Sequence, residues 1–168
     1  MLKQYLVNMT KEELIEEIQQ LNRRFRQVKE YYQARLEPHK TEDVLVSYKE
    51  RVKREFFTRT GKPGPLRLGM GRKAVLEFAK VQANITHQID LELFYVEQGV
   101  MFTNSFGDID EPFYMSIESM FERALKNIKK HHLESMFVNR AEKIVRDTNG
   151  IGWGFADNIE YLYSQYFK

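Results

Sequence analysis

The sequence predicts an all-α fold, either an irregular up-and-down bundle or a short α-solenoid-like stack of six or seven helices. Three observations predict it. Apolar residues recur three and four apart through most of the 168 residues, the period of a helix that buries one face. The four prolines and nine glycines cluster between those periodic runs, where they punctuate rather than interrupt. No segment reads better as strand than as helix. The nearest, LFYVEQGVMFT at 93–103, has strand propensity, but its length and the helical spacing around it decide for helix.

The first helix is expected over 10–36. Thr10 followed by Glu13 is a capping box: the hydroxyl accepts the third backbone N–H and the carboxylate reaches back. Leu14, Ile18, Leu21, Phe25, Val28 and Tyr32 follow in a heptad seam, with a stop near Pro38. So long a helix is either the spine of a bundle or an arm that projects or dimerises, and packing within one domain spanning 1–168 is favoured. A second helix runs from about Glu42 to Thr58 with Leu45, Tyr48, Val52 and Phe56 as its stripe. GKPGPLRLGMGRK at 61–73 then breaks the helix, since Pro63 and Pro65 remove donors and bias their predecessors to extended backbone.

A short third helix is expected over 71–81, burying Val75, Phe78 and Ala79. Thr86 is read as the N-cap of the fourth, 87–103, and Asn84-Ile85-Thr86 is given no weight as a glycosylation sequon. Ile89, Leu93, Val96 and Val100 share one face of that helix, and Leu91, Phe94 and Phe102 are apolar on others, so it should be central. The fifth, 111–130, places Phe113, Ile117, Met120, Ala124 and Ile128 inward and closes with Lys126, Lys129 and Lys130 where the dipole favours cations. The sixth, 133–148, stops at Asn149-Gly150. The seventh, 155–167, carries Ile159, Leu162, Tyr163 and Tyr166.

The chain has no cysteine, which excludes disulfides, thiol nucleophiles and cysteine zinc sites. No apolar run approaches the roughly 20 residues of a membrane span, and the start lacks the apolar core of a secretion signal. A cytoplasmic bacterial-type protein is the expectation. Net charge is only +2, yet it is segregated. Residues 49–73 carry nine Lys/Arg against two Glu, whereas 81–122 carry eight Asp/Glu and no Lys or Arg. Packing of the two segments beside each other is favoured over separate partners, because an adjacent opposite field relieves like-charge repulsion.

Four constellations could carry chemistry. In SFGDIDEPFYMS, 105–116, Asp108, Asp110 and Glu111 lie between aromatics, with Glu97 nearby in sequence. Such acids can ligate a divalent cation or divide acid and base roles. The structural reading is stronger: Asp110 as N-cap, Glu111 at the positive helix end, Pro112 in the first turn. The histidines, isolated His39 and His87 and adjacent His131 and His132, lack zinc-ligand spacing, and no metal or cofactor is assigned. GIGWGF at 150–155 is Gly-rich but follows a helix, so it lacks the strand that a dinucleotide loop requires. Trp153, the sole tryptophan, is read as a wedge anchoring that turn to the core rather than as a ligand-stacking ring. Lys49, Lys53, Arg54, Arg59, Lys62, Arg67, Arg72 and Lys73 form a basic segment with Phe56 and Phe57 interleaved, a pattern suited to nucleic acid.

YVEQGVMFTNSFGDIDEPFYMSIESMFERAL at 95–125, with IGWGF at 151–155 and TKEELIEEI at 10–18, resembles an uncharacterised family of bacterial proteins, a domain of unknown function, over nearly the whole chain. The resemblance implies a small, soluble, helical bacterial protein and carries no activity, cofactor or catalytic residue. The reading is therefore a non-enzymatic interaction or adaptor domain, binding an unidentified protein or itself. The alternatives are nucleic-acid binding through 49–73 and a small-ligand or metal site at 106–114, with Glu97, Asp108, Asp110, Tyr114 and Trp153 as contacts.

Overall fold

The computed structural model describes residues 1–37, 41–81 and 84–167. Pro38 and His39, read above as a helix stop and an isolated histidine, lie outside the described residues. Nine helices and no strand occur among the described residues: α1 (Leu2–Val7), α2 (Lys11–Arg24), α3 (Arg26–Leu36), α4 (Thr41–Phe56), α5 (Leu68–Val81), α6 (Ile85–Phe106), α7 (Glu111–Lys130), α8 (Glu134–Asp147) and α9 (Phe155–Phe167). The fold is all-α, with more helices than the six or seven expected.

The excess arises at the N-terminus. The capping box forms as read: Thr10 Oγ1 accepts from Glu13 N at 3.2 Å, and Glu13 Oε2 accepts from Thr10 N at 2.7 Å. The single helix over 10–36 does not. Phe25 adopts φ −119°, ψ 117°, between α2 and α3. No Gly or Pro stands there, so the cause is tertiary. α3 is tied to the body by Glu30, whose carboxylate accepts from the Tyr48 hydroxyl of α4 at 2.6 Å and from Arg26 Nε at 2.6 Å. Among the described residues α2 makes no comparable contact, and it turns back so that Ile18 and Tyr32 line one concavity. A short α1, unread in the sequence, precedes it.

The remaining helices build a bundle around α6, which packs against α4, α5, α7 and α8, while α9 closes over α7 and α8. One helix touching four others is bundle packing, since repeats of a solenoid touch only their neighbours. The core runs continuously through α4–α9, with fully buried Tyr48, Phe56, Phe78, Leu91, Tyr95, Phe113, Ile117, Phe121 and Ile159. Aromatic rings meet edge-on across it, as at Phe56 and Tyr95, 5.3 Å apart, a geometry that adds to area burial.

Two boundaries differ from the sequence reading. The Gly/Pro stretch stays non-helical only to Arg67, and α5 begins at Leu68, through Gly69 and Gly71. The stretch folds back over the end of α4, with Gly64 N donating to Phe56 O at 2.7 Å and Leu66 N to Glu55 O at 2.8 Å. A Cβ on Gly64 would lie 2.8 Å from Glu55 O, so only glycine admits that approach. α6 is capped by Asn84, not Thr86: Asn84 Oδ1 accepts from Thr86 N at 2.9 Å and Thr86 Oγ1 at 2.7 Å.

Candidate functional site

The acidic stretch is accounted for atom by atom. Asp110 caps α7, its Oδ1 accepting from Phe113 N at 2.9 Å, and Pro112 sits in the first turn. Asp108 Oδ1 accepts from the Tyr114 hydroxyl at 2.8 Å. Its Oδ2 would lie 3.0 Å from a Cβ on Gly152, so the 107–110 loop and the 150–154 turn meet there. Tyr114 stacks tilted on Phe155 at 4.8 Å. Burial and then Asp108 push the Tyr114 phenol above its ordinary value, which keeps it a donor. Both carboxylates thus hold a turn in place, and among the described residues no group of three His, Asp or Glu is disposed to hold a metal ion.

Trp153 is not the wedge expected of it. Its side chain is 64% exposed and its φ is 61°, a left-handed conformation that costs an L-residue roughly 1–2 kcal/mol. Ile151 and Phe155, buried on either side, anchor the turn instead. The small glycines let the turn press against Asp108, and that leaves the indole outside.

The basic and acidic segments do pack together. Lys49 Nζ lies 2.6 Å from Asp90 Oδ2, and Arg72 donates to Ser116 O at 2.9 Å and Ser119 Oγ at 2.7 Å. Other acids of α6 take cations from later helices. Arg140 binds Glu97 through two nitrogens, at 2.6 and 2.8 Å, and also reaches Asp90. Glu92, fully buried, accepts from Arg123 Nε at 2.7 Å and from Asn127 Nδ2. Burial opposes ionisation of Asp90, but Lys49 and Arg140 outweigh it and hold its carboxyl below the usual range.

The eight candidate cations for nucleic acid therefore divide. Lys49 and Arg72 are engaged as above, Arg67 forks onto Glu55 at 3.0 and 3.1 Å, and Lys73 stands 4.0 Å from Glu77. Lys53, Arg54, Arg59 and Lys62 are exposed and form no ion pair among the described residues. They cluster at the end of α4, where the dipole also favours positive charge, and in the turn after it.

Beside them lies a feature the sequence reading missed. Phe94, Gln98 and Met101, at i, i+4 and i+7 on α6, line two adjoining grooves. One, of about 560 Å³, is completed by Lys53, Phe57, Thr58, Arg59 and Gly61. The other, of about 540 Å³, runs past Glu97, Asn104 and, on α8, Lys143 and Asp147. Of the expected ligand contacts, Glu97 borders this second groove, held by Arg140, while Asp108, Asp110, Tyr114 and Trp153 line neither. Gln98 is 4% exposed, and its Oε1 is buried without a hydrogen-bond partner among the described residues. Met101 is 50% exposed. The signal in the sequence was slight, since Gln98 is one of three carboxamides in a helix that also carries three acids.

A second feature is the open face of the N-terminal helices, on the segment read above as a bundle spine or as an arm that projects or dimerises. No residue of α1 or α2 is buried. Leu2, Leu6, Val7, Met9 and Leu14 border an open groove of about 570 Å³. Ile15, Ile18, Leu21 and Phe25 continue the apolar face. No described helix is long and apolar enough to cross a membrane, so this face is not part of a span.

Neither the curated proteins nor the solved structures contain a match to this chain. The model of a family of unknown function, DUF6155, matches residues 1–167. With its whole described length inside that match, the chain belongs to this family of unknown function.

Proposed function

We propose that the protein is a non-enzymatic interaction domain that pairs with a second copy of itself through the α1–α2 face. The observation that carries this is the uncovered seam of α2, with Ile18 41% and Leu21 38% exposed at heptad spacing and Phe25 51% exposed at the elbow that follows. Charge selects the occupant. The first half of α2 carries Glu12, Glu13, Glu16 and Glu17, and its end carries Arg23 and Arg24. Two copies laid antiparallel set each acidic half against the partner's basic end, a self-complementary arrangement of the kind a two-fold interface requires. Burying the exposed halves of Ile15, Ile18, Leu21 and Phe25 contributes about 1 kcal/mol per side chain.

Light scattering against concentration is the test. A dimer is expected, and Ile18→Glu should raise its dissociation constant about a hundredfold, because the change counts twice across a two-fold axis. The circular dichroism of each subunit should stay the same. A wild-type chain that remains monomeric at its highest soluble concentration removes the reading.

A second reading, nucleic-acid binding through 49–73, keeps four of its eight cations: Lys53, Arg54, Arg59 and Lys62. It is the weaker one, because the other four are engaged within the fold. The small-ligand or metal reading at 106–114 is weaker again, since capping and the Tyr114 hydrogen bond already occupy Asp110 and Asp108. The bacterial cytoplasm is the proposed setting, on composition and resemblance.

A further inference from the structure

We propose that the groove between the end of α4 and α6 is a binding site for a small organic anion with an apolar chain or ring and one N–H or O–H donor near its anionic head. Three features of one concavity select that chemistry. Lys53 and Arg59 stand on its lining without ion pairs among the described residues, so an anionic head gains two charge-assisted contacts and displaces no internal partner. Phe57, Phe94 and Met101 supply the apolar wall, and half of Met101 is open to solvent. Gln98 supplies the polar requirement: its Oε1 is a buried acceptor with no donor among the described residues.

An unmet buried acceptor costs about 1–3 kcal/mol. Oε1 is closed to solvent as it stands, so a ligand N–H or O–H removes that cost once the Gln98 carboxamide turns it toward the groove, where a purely apolar ligand cannot. The volume, about 560 Å³, lies in the roughly 300–1,000 Å³ range of small-molecule sites. The acids of the neighbouring groove, Glu97 and Asp147, are paired with Arg140 and Lys143, so their repulsion of an anion is offset. A long nucleic acid fits this concavity poorly, because Arg67, Arg72 and Lys73 are engaged elsewhere.

N-decanoylglycine is the probe, having a carboxylate, one amide N–H and an apolar chain. Its methyl ester lacks the charge, and decanoate lacks the donor. The readout is the Met101 methyl signal in the spectrum of the full chain carrying ¹³C-methyl methionine, assigned through Met101→Leu. N-decanoylglycine should shift that signal saturably, and the ester should bind about tenfold more weakly. The double variant Lys53→Glu/Arg59→Glu alters only exposed, unpaired side chains and should keep the wild-type melting temperature. It should lose binding to a similar degree. In Gln98→Leu, N-decanoylglycine and decanoate should bind alike. The proposal is overturned if the Met101 signal does not move, if shifts are confined to Met1 and Met9 of the N-terminal helices, or if the charge-reversed variant binds as the wild type does.

Discussion

Gly99 shows how much a single residue can decide. A Cβ there would lie 2.3 Å from Cδ1 and 2.7 Å from Cγ1 of Ile117, which is itself fully buried on α7. Ala is the better helix former by about 1 kcal/mol, but overpacking a core costs about 1–3 kcal/mol. Gly99→Ala is therefore expected to lower stability by about 1 kcal/mol in urea melts, against the helix-propensity trend. Ile117→Val, which removes the nearest atom, should recover part of that loss in the double variant. Trp153 makes the complementary point. Its sequence neighbourhood reads as a buried anchor, yet the smaller Ile151 and Phe155 take the interior and the indole stays in solvent.

At the scale of elements, a buried polar contact to α4 joins packing on α5 in docking α3 beyond the elbow. Glu30 is inside the fold with Tyr48, and burial first, then the Glu30 carboxylate, pushes the Tyr48 phenol up so that it stays the donor. Arg51 lies over the Tyr48 ring at 4.4 Å, and Arg26 holds the other Glu30 oxygen. Tyr48→Phe leaves the carboxylate short of one charge-assisted hydrogen bond, worth about 1.5–3 kcal/mol. Amides of α3 should then exchange with solvent at least about tenfold faster, while those of α7 are unchanged. Equal acceleration in both helices would mean that α3 is not separately docked. The heptad seam itself was legible in the sequence. Its break at Phe25 was not, because no local breaker marks it and α3 is held by α4 and α5.

Across the whole molecule, charge ties the bundle together. Lys49 of α4 and Arg140 of α8 converge on Asp90 of α6, and Arg140 also holds Glu97. Because the Asp90 carboxyl is held below its unfolded value, its contribution is present at neutral pH. It is lost as pH falls through the folded value, below about 4. Urea midpoints at pH 7 and pH 3 should show this loss. Asp90→Asn should lower the midpoint at pH 7 and flatten the difference. An unchanged acid dependence in that variant would assign the effect to other carboxylates. The segregated charge was legible as a pattern and its packing was anticipated, but the main partners of the α6 acids lie beyond the two segments, Arg123 just past the acidic one and Arg140 on α8.

The sequence by itself determined the all-α class, the Thr10–Glu13 capping box, the course of α7 from its Asp110 cap and the central place of α6. Each depends on residues within a turn or two of one another, where spacing and hydrogen-bond reach are set by the helix itself. Tertiary structure alone decided the elbow at Phe25, the outward Trp153, the open α1–α2 face and the orphaned Gln98 carbonyl beside Lys53 and Arg59. These depend on which surfaces other helices cover, and coverage is set by side chains tens of residues away that no local period encodes.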